Sequence, residues 1–431
     1  MKIIQITPGS GDSFYCENCI RDLAVVKALR KAGHKTLIVP LYLPILGKGA
    51  GEGEGPIFFG GINVYLQQTS AIFRHTPRWL DRLFDSPRLL SWAGRKAGMT
   101  SARSLGRTML SMLRGEHGRQ KKELTRLVDW LARNERPDVV SLSDALLLGL
   151  ARKIKKTLGA RIICWLQDED EFVDALDADQ RTEAWRIMAQ RAAEVDAFIA
   201  PSRYYADVMQ SRLGLPSNKV HVIYDGMDWS AHSPAAPPAV PVIGYFSRIC
   251  VDKGLDILVE AFAAIKKDSR MAAARLRAAG GMTGRDRPFV DSITRRVDEL
   301  GLGGDVELLP NLQDGEKVRF LQSLSVLSVP EKHGESAGLY VMEALACGVP
   351  VVQPRNGAFP ELIEMTGGGL LFEPGRAEAL ADALLKVLTD RDYARQLGRR
   401  GRQAALQCFS VDKVAENFIQ VCRRTLAEAK P

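Results

Sequence analysis

Pro330-Glu331-Lys332-His333-Gly334-Glu335-Ser336-Ala337-Gly338-Leu339-Tyr340-Val341-Met342-Glu343-Ala344-Leu345-Ala346-Cys347-Gly348-Val349-Pro350-Val351-Val352 reads as strand, loop, helix, tight turn, strand. Leu339, Met342, Leu345 and Ala346 recur at helical spacing and give the helix a buried face. The helix is expected to begin near Gly338. Its first N–H groups then offer partial positive charge to a phosphate. Glu335 lies in the loop and Glu343 eight positions later, so the two can flank one ligand without sharing a site. Gly348 and Pro350 end the helix and feed the next strand.

Upstream, Gly244-Tyr245-Phe246-Ser247-Arg248-Ile249-Cys250-Val251-Asp252-Lys253-Gly254-Leu255-Asp256 reads as a strand, a loop and the start of a helix over 257–265. Arg248 and Lys253 stand on that loop, at the carboxyl end of a strand, where open α/β sheets bind ligands. Two cations there can hold a diphosphate and stabilise the charge that grows on it as a bound group departs.

The rest of the chain repeats the strand–helix alternation that argues for parallel sheets covered by helices. Strands are expected at 3–7, 36–40, 139–140, 161–165, 197–200 and 220–224, then at 242–246, 306–309, 324–329 and 349–352. Between the two sets, residues 233–241 hold four prolines and read as a linker. Two doubly wound domains, 1–234 and 235–410, follow, as 431 residues would require.

Composition narrows the class. The chain is 46% hydrophobic and 26% charged, as soluble globular proteins are, and no apolar run is long enough to span a membrane. The apolar run at Met1–Ile6 is too short for a signal peptide and reads as a strand. Seven cysteines without framework spacing favour reduced thiols and a cytoplasmic protein. The net charge of +8 admits an anionic partner without naming one.

The paired glutamates, the Gly338-Leu339 between them and Glu343-Ala-Leu-Ala-Cys-Gly-Val-Pro-Val-Val352 resemble the signature of retaining glycosyltransferase family 4. The resemblance implies a GT-B fold, two Rossmann-like domains facing across a cleft, with the helix after residue 410 crossing back to the first domain. It implies that Glu335 binds hydroxyls of a donor sugar, that Glu343 binds the nucleotide ribose, and that the backbone at Ala337, Gly338 and Leu339 meets the diphosphate. Arg248 and Lys253 match the family's cation pair at the same spacing. Weaker matches follow in order. Gly280-Gly281-Met282 resembles a turn near the nucleotide, and Leu309-Pro310-Asn311-Leu312 the loop whose backbone meets the base. Asn356–Glu361 resembles a segment that is chiefly structural, and Tyr224–Asp228 the turn closing the first domain. Gly11, in Thr7-Pro8-Gly9-Ser10-Gly11-Asp12, stands where the family has a glycine-rich turn near the donor phosphates or the acceptor.

The first domain departs from the pattern. Cys16-Glu17-Asn18-Cys19 follows the glycine loop and can be two small buried residues, a redox couple or half a zinc site. After the strand at 161–165, many family members carry a histidine, whereas this chain has Gln167-Asp168. Asp168 is the first candidate for a polar group near the anomeric carbon and Gln167 the second. Phe59–Tyr65 reads as a glycine-bearing strand end, with Gly61 and Asn63 as a wall of an acceptor pocket, or as a bend. From Arg74 to Lys122 there are 12 Lys or Arg residues, interleaved with Trp79, Phe84 and Trp92, against Asp81, Asp85 and Glu116. That segment can pack on the first domain, rest on an anionic membrane or bind a long acceptor.

The expected reaction is sugar transfer with retention from a nucleotide-diphosphate sugar, the co-substrate, to an acceptor sugar, a lipid-linked sugar or a small metabolite. No Asp-x-Asp metal signature stands out at a strand end, so neither a metal nor a further cofactor is expected, and no nucleic-acid partner. A sugar-nucleotide epimerase and a nucleotide-binding protein without turnover are the rivals. A dehydrogenase is disfavoured, since only the first part of Gly-x-Gly-x-x-Gly follows the first strand.

Overall fold

The structure, a computed structural model, describes residues 1–8, 17–43, 56–70, 73, 102–312 and 315–428. It divides into two compact units, Met1–Tyr224 with Val411–Pro431, and Asp225–Ser410. The division falls ahead of the proline-rich linker, because the chain is already committed to the second unit there. Met227 N–H donates to Phe409 O at 3.1 Å, and Trp229 Nε1–H donates to the same carbonyl at 2.9 Å. Gly226 lies so close to Phe409 that an added Cβ would sit 2.4 Å from its carbonyl oxygen.

The first unit's sheet comprises β1 (Lys2–Pro8), β2 (Lys35–Leu41), β3 (Val139–Leu142), β4 (Arg161–Trp165), β5 (Ala197–Ala200) and β6 (Val220–Val222), in the order β2-β1-β3-β4-β5-β6. Every pairing is parallel; Ile3, for instance, lies opposite both Thr36 and Val139. The strands read as continuous apolar runs because both faces are covered. Ile4, Ile6, Val140 and Ile162 face one helical layer, which includes the helices Ala102–Leu113, Lys121–Asn134 and Ala178–Ala192. Ile3, Val139, Ile163 and Trp165 face the other, formed by the helices Glu17–Lys31 and Val411–Ala427. The last helix therefore packs within the first unit, as expected, through Val414, Phe418 and Cys422.

The second sheet comprises β7 (Val242–Phe246), β8 (Arg275–Gly280), β9 (Val306–Pro310), β10 (Val326–Leu327), β11 (Val351–Pro354) and β12 (Gly369–Phe372), all parallel, in the order β12-β11-β10-β7-β8-β9. Counted from its own first strand and read from the β9 edge, this is the 3-2-1-4-5-6 arrangement of dinucleotide-binding sheets. In each sheet the winding reverses beside the first strand, between β1 and β3 and between β7 and β10. Ligands of open α/β sheets bind beyond the strand ends at such points.

One sequence expectation changes. Phe58 makes an isolated bridge to Leu41, but Gly61–Thr69 is a helix, so Gly61 and Asn63 lie on its first turn rather than at a strand end. Gly60, with extended ψ, takes the N-cap position, and Gln67, buried with Asn63 and Val64 four and three positions before it, sets the helical period. Gly11, Cys16 and residues 74–101 lie outside the described residues. Cys19 is buried, and its thiol donates to Pro8 O at 2.6 Å.

Candidate active site

In the second unit β7 runs into the loop that carries Arg248 and Lys253, and β10 runs into the loop that carries Glu331 and Glu335. The two loops meet at the reversal point. Lys253 Nζ lies 2.7 Å from Glu331 Oε2 and 3.3 Å from Glu335 Oε2, with all three side chains largely buried. Tyr340, in the first turn of the helix Leu339–Ala346, donates its hydroxyl to Glu335 Oε2 at 3.1 Å. Burial and the neighbouring Glu335 push its phenol far above the ordinary value, so it remains a donor.

The Glu335 loop is braced from behind. Asn356 Nδ2 donates to Glu331 O at 2.9 Å and Ala358 N–H to Glu335 O at 2.8 Å. Gly357, at φ +57°, approaches so closely that a Cβ would stand 2.4 Å from Glu335 N. The 356–361 segment thus shapes the site from outside it. Gly338, also left-handed, occupies the N-cap position of the helix Leu339–Ala346, whose first N–H groups have no carbonyl within the helix.

Arg248 takes a different partner. Its guanidinium pairs with Asp286 at 2.9 Å and is more than half exposed. Burial alone would raise the Asp286 carboxyl, but bonds from Thr283 and Arg248 more than offset it and hold it below the usual range. Tyr245 donates to Arg248 O at 2.8 Å, which fixes the loop backbone. Beside it Gly280, at φ +151°, lies against Ser247 O so tightly that no side chain fits. Asn311 caps the neighbouring turn: its Oδ1 accepts from Met282 N–H at 2.9 Å and its Nδ2 donates to Met282 O at 3.2 Å. The Asn311 side chain is thereby engaged in the turn, and Leu312 follows it half-buried.

Glu343 is buried on the helix Leu339–Ala346 and meets Lys317 Nζ at 2.5 Å through Oε1. Burial pushes its carboxyl up and Lys317 pulls it down, burial winning. Lys317 also lies over the Phe246 ring at the end of β7, 5.1 Å from its centroid.

In the first unit, a buried polar cluster occupies the reversal point between β1 and β3. Arg21 donates to both Asp22 Oδ1 (2.8 Å from Nη2) and Ser143 O (2.9 Å), and its Nη1 donates to Gln167 Oε1. Its guanidinium stacks 4.8 Å from the Trp165 ring centroid. Ser143 Oγ donates to Asp22 Oδ2 at 2.5 Å. Glu169 accepts from Ala145 N–H, Gln167 N–H and the Tyr205 hydroxyl, each at 2.8 Å. Burial pushes Asp144 up to about 7, with Glu169 adding to it. Gln167 is therefore built into the cluster. Asp168, left-handed at φ +55°, precedes the helix Glu169–Asp174 and is half-buried. Asp168 and Asp170 do stand in Asp-x-Asp order beyond β4, which the sequence reading passed over. Asp170 lies 2.9 Å from the Tyr205 hydroxyl, and no group of three His, Cys, Asp or Glu among the described residues is arranged to hold a metal.

Of the residues marked from sequence, Lys253 and Glu335 meet, while Arg248 and Glu343 each take another partner; the partners Glu331, Tyr340, Lys317 and Asp286 were not marked. Glu331 had a signal, a carboxylate directly after Pro330 at a strand end. Lys317 and Asp286 had none, since each lies on a segment with no motif of its own.

Residues 107–230 match the family model Glycosyltransferase Family 4, and residues 231–404 match Glycosyl transferases group 1. A D-inositol 3-phosphate glycosyltransferase of Saccharomonospora viridis is 28% identical over 250 residues, 55% of this chain and 58% of that protein. The chain spans a little over half the length of such curated relatives. Among solved structures, sucrose-phosphate synthase of Thermosynechococcus elongatus has a TM-score of 0.71 at 18% identity, over 99% of this chain and 100% of that one. Anabaena HepE in complex with UDP has a TM-score of 0.68 at 16% identity, over 98% and 100%. These structural likenesses carry the fold. Two glycosyltransferase family models thus run unbroken over residues 107–404, on the two-domain fold that these solved structures share.

Proposed function

We propose that this chain is a retaining, metal-independent hexosyltransferase that moves a sugar from a nucleotide-diphosphate sugar to an acceptor hydroxyl. The observation that carries the reading is Lys253 held between Glu331 and Glu335 at the reversal point of the second sheet, beside the open start of the helix Leu339–Ala346. The diphosphate lies at that helix start and takes the charge of Lys253 and Arg248, while Glu335 accepts hydrogen bonds from the sugar hydroxyls. Ionisation of the sugar–phosphate bond leaves electrons on the diphosphate oxygen. The acceptor oxygen then bonds to the anomeric carbon on the same face, and its proton passes to the departing diphosphate. No side chain needs to serve as a base. That HepE was solved with UDP, and that relatives are named as glycosyltransferases, supports a nucleotide-sugar donor. The acceptor is a sugar, a lipid-linked sugar or a small metabolite.

Thermal shift with UDP, GDP, ADP and TDP identifies the nucleotide, because a ligand at about 100 times its Kd adds roughly 2.7 kcal/mol to stability. The anomeric coupling of the product by proton NMR then tests the stereochemistry. An α-linked donor should yield an α-linked product at an unchanged rate in EDTA. A β-linked product, or a rate abolished by chelation, would overturn the retaining, metal-free mechanism.

A further inference from the structure

We infer that Lys317 is a positioning residue for the nucleotide site: paired with Oε1 of Glu343, it holds that buried carboxylate charged and in place to accept hydrogen bonds from a ribose diol. The inference rests on the reading of Glu343 as the ribose-binding group and adds a residue that no motif marks.

The geometry is specific. Glu343 is 1% exposed, and its only charged contact among the described residues is the 2.5 Å approach of Lys317 to Oε1. The approach is an ion pair rather than a well-directed hydrogen bond, and it leaves Oε1 without a hydrogen-bond donor among the described residues. A carboxylate buried with one oxygen unmatched is costly in a finished core, and is explained if a ligand supplies the missing donors. Lys317 is itself fixed from the other side, over the ring of Phe246, which packs on Phe320 from the same helix as Lys317. The ammonium is therefore placed by β7 and by the helix Glu316–Gln322, independently of the helix that carries Glu343.

The remaining charged and titratable groups around Glu343 cannot replace it. On the helix Arg391–Cys408, Arg402 donates to Ala346 O and His232 O, and so is committed to backbone. Burial, then Lys317 and Arg402, push the His232 imidazole down, which keeps it neutral. Cys347, the C-cap of the helix that carries Glu343, is pushed up to about 12 by burial and by Glu343. Lys317 is the cation that opposes the burial of Glu343.

The sign follows. Without Lys317, burial acts unopposed and the carboxyl holds its proton to higher pH. Ribose binding then weakens as pH falls and recovers as pH rises. Equilibrium binding of UDP, GDP and ADP to the intact chain, by calorimetry between about pH 6 and pH 8.5, measures this for the parent, Lys317→Met, Lys317→Arg and Glu343→Gln. The ratio of the Lys317→Met Kd to the parent Kd should be about tenfold or more near pH 6 and shrink toward one at high pH, since each pH unit below a carboxyl's pKa is about tenfold in its ionised fraction. Taking the ratio cancels the nucleotide's own titration. Lys317→Arg should restore a flat ratio, which a merely structural defect would not allow. A ratio that is large but independent of pH would make Lys317 a direct phosphate contact and overturn the inference, as would a ratio of one throughout. If Glu343→Gln binds as the parent does, or if none of the three nucleotides binds the parent, the ribose reading itself fails and the inference falls with it.

Discussion

At the reversal point of the first sheet a guanidinium, Arg21, is gripped by Asp22, Ser143 and Gln167 and lies on Trp165. At the same topological point of the second sheet an ammonium, Lys253, is shared between two carboxylates. The first cluster uses a planar fork whose donors are matched in fixed directions, and its anionic neighbour Glu169 is matched by backbone and phenol donors. The second uses a compact charge on a flexible stem beside more carboxylate oxygen than it can satisfy. A ligand can draw Lys253 partly away from its carboxylates without leaving a guanidinium's five donors stranded. Drawing Arg21 from its cluster would leave Asp22 buried without its cation, with Ser143 Oγ as the remaining donor. The difference separates a cluster that fixes the strand ends from one that can redistribute charge to a ligand.

The largest effect should come from breaking the closed cluster. Arg21→Met should cost about 3–5 kcal/mol, the usual result of removing one partner of a buried pair, read from the urea midpoint at constant m-value. A midpoint equal to the parent's would show that the cluster fixes nothing. Next, Glu335→Gln should lower sugar transfer by roughly 100-fold, about 2.7 kcal/mol of barrier, and shift stability by no more than about 1 kcal/mol. The glutamine can still accept from Tyr340, and Lys253 keeps Glu331. Transfer at the parent rate would remove Glu335 from the chemistry. A stability loss as large as that of Arg21→Met would erase the contrast between the clusters.

The smallest effect sharpens the comparison within the first unit. Asp144 is raised in the folded chain, so the folded state keeps a proton that the unfolded chain releases between about pH 4 and the folded value of about 7. Across that window its contribution to stability declines as pH rises. Asp144→Asn removes the charge, while the amide oxygen can still accept from Leu146 N–H as the carboxylate does. Its stability relative to the parent should grow with pH and reach roughly 1 kcal/mol in its favour near pH 8, by thermal melts across the range. An advantage that shrinks as pH rises would contradict the assigned environment.

The sequence by itself determined the parallel architecture and much of the second cluster. Continuous apolar runs such as Ile162–Trp165 and Ala197–Ala200 fit a sheet covered on both faces. Glu335, Gly338 and Glu343 are legible together because one loop and the helix that follows it carry all three, so their spacing is geometry fixed by local structure. The first cluster was not legible. The bonds from Arg21 and Asp22 to Ser143 and Gln167 join residues 121 to 146 positions apart, and nothing local to Arg21 foretells either partner. The same holds for Lys317 on Glu343 and Asp286 on Arg248, and for the helix at Gly61–Thr69 that replaced an expected strand end. Periodicity encodes which face of an element is buried. Which charge meets which across a sheet is set only when strands distant in the chain lie side by side, and tertiary structure alone decided that.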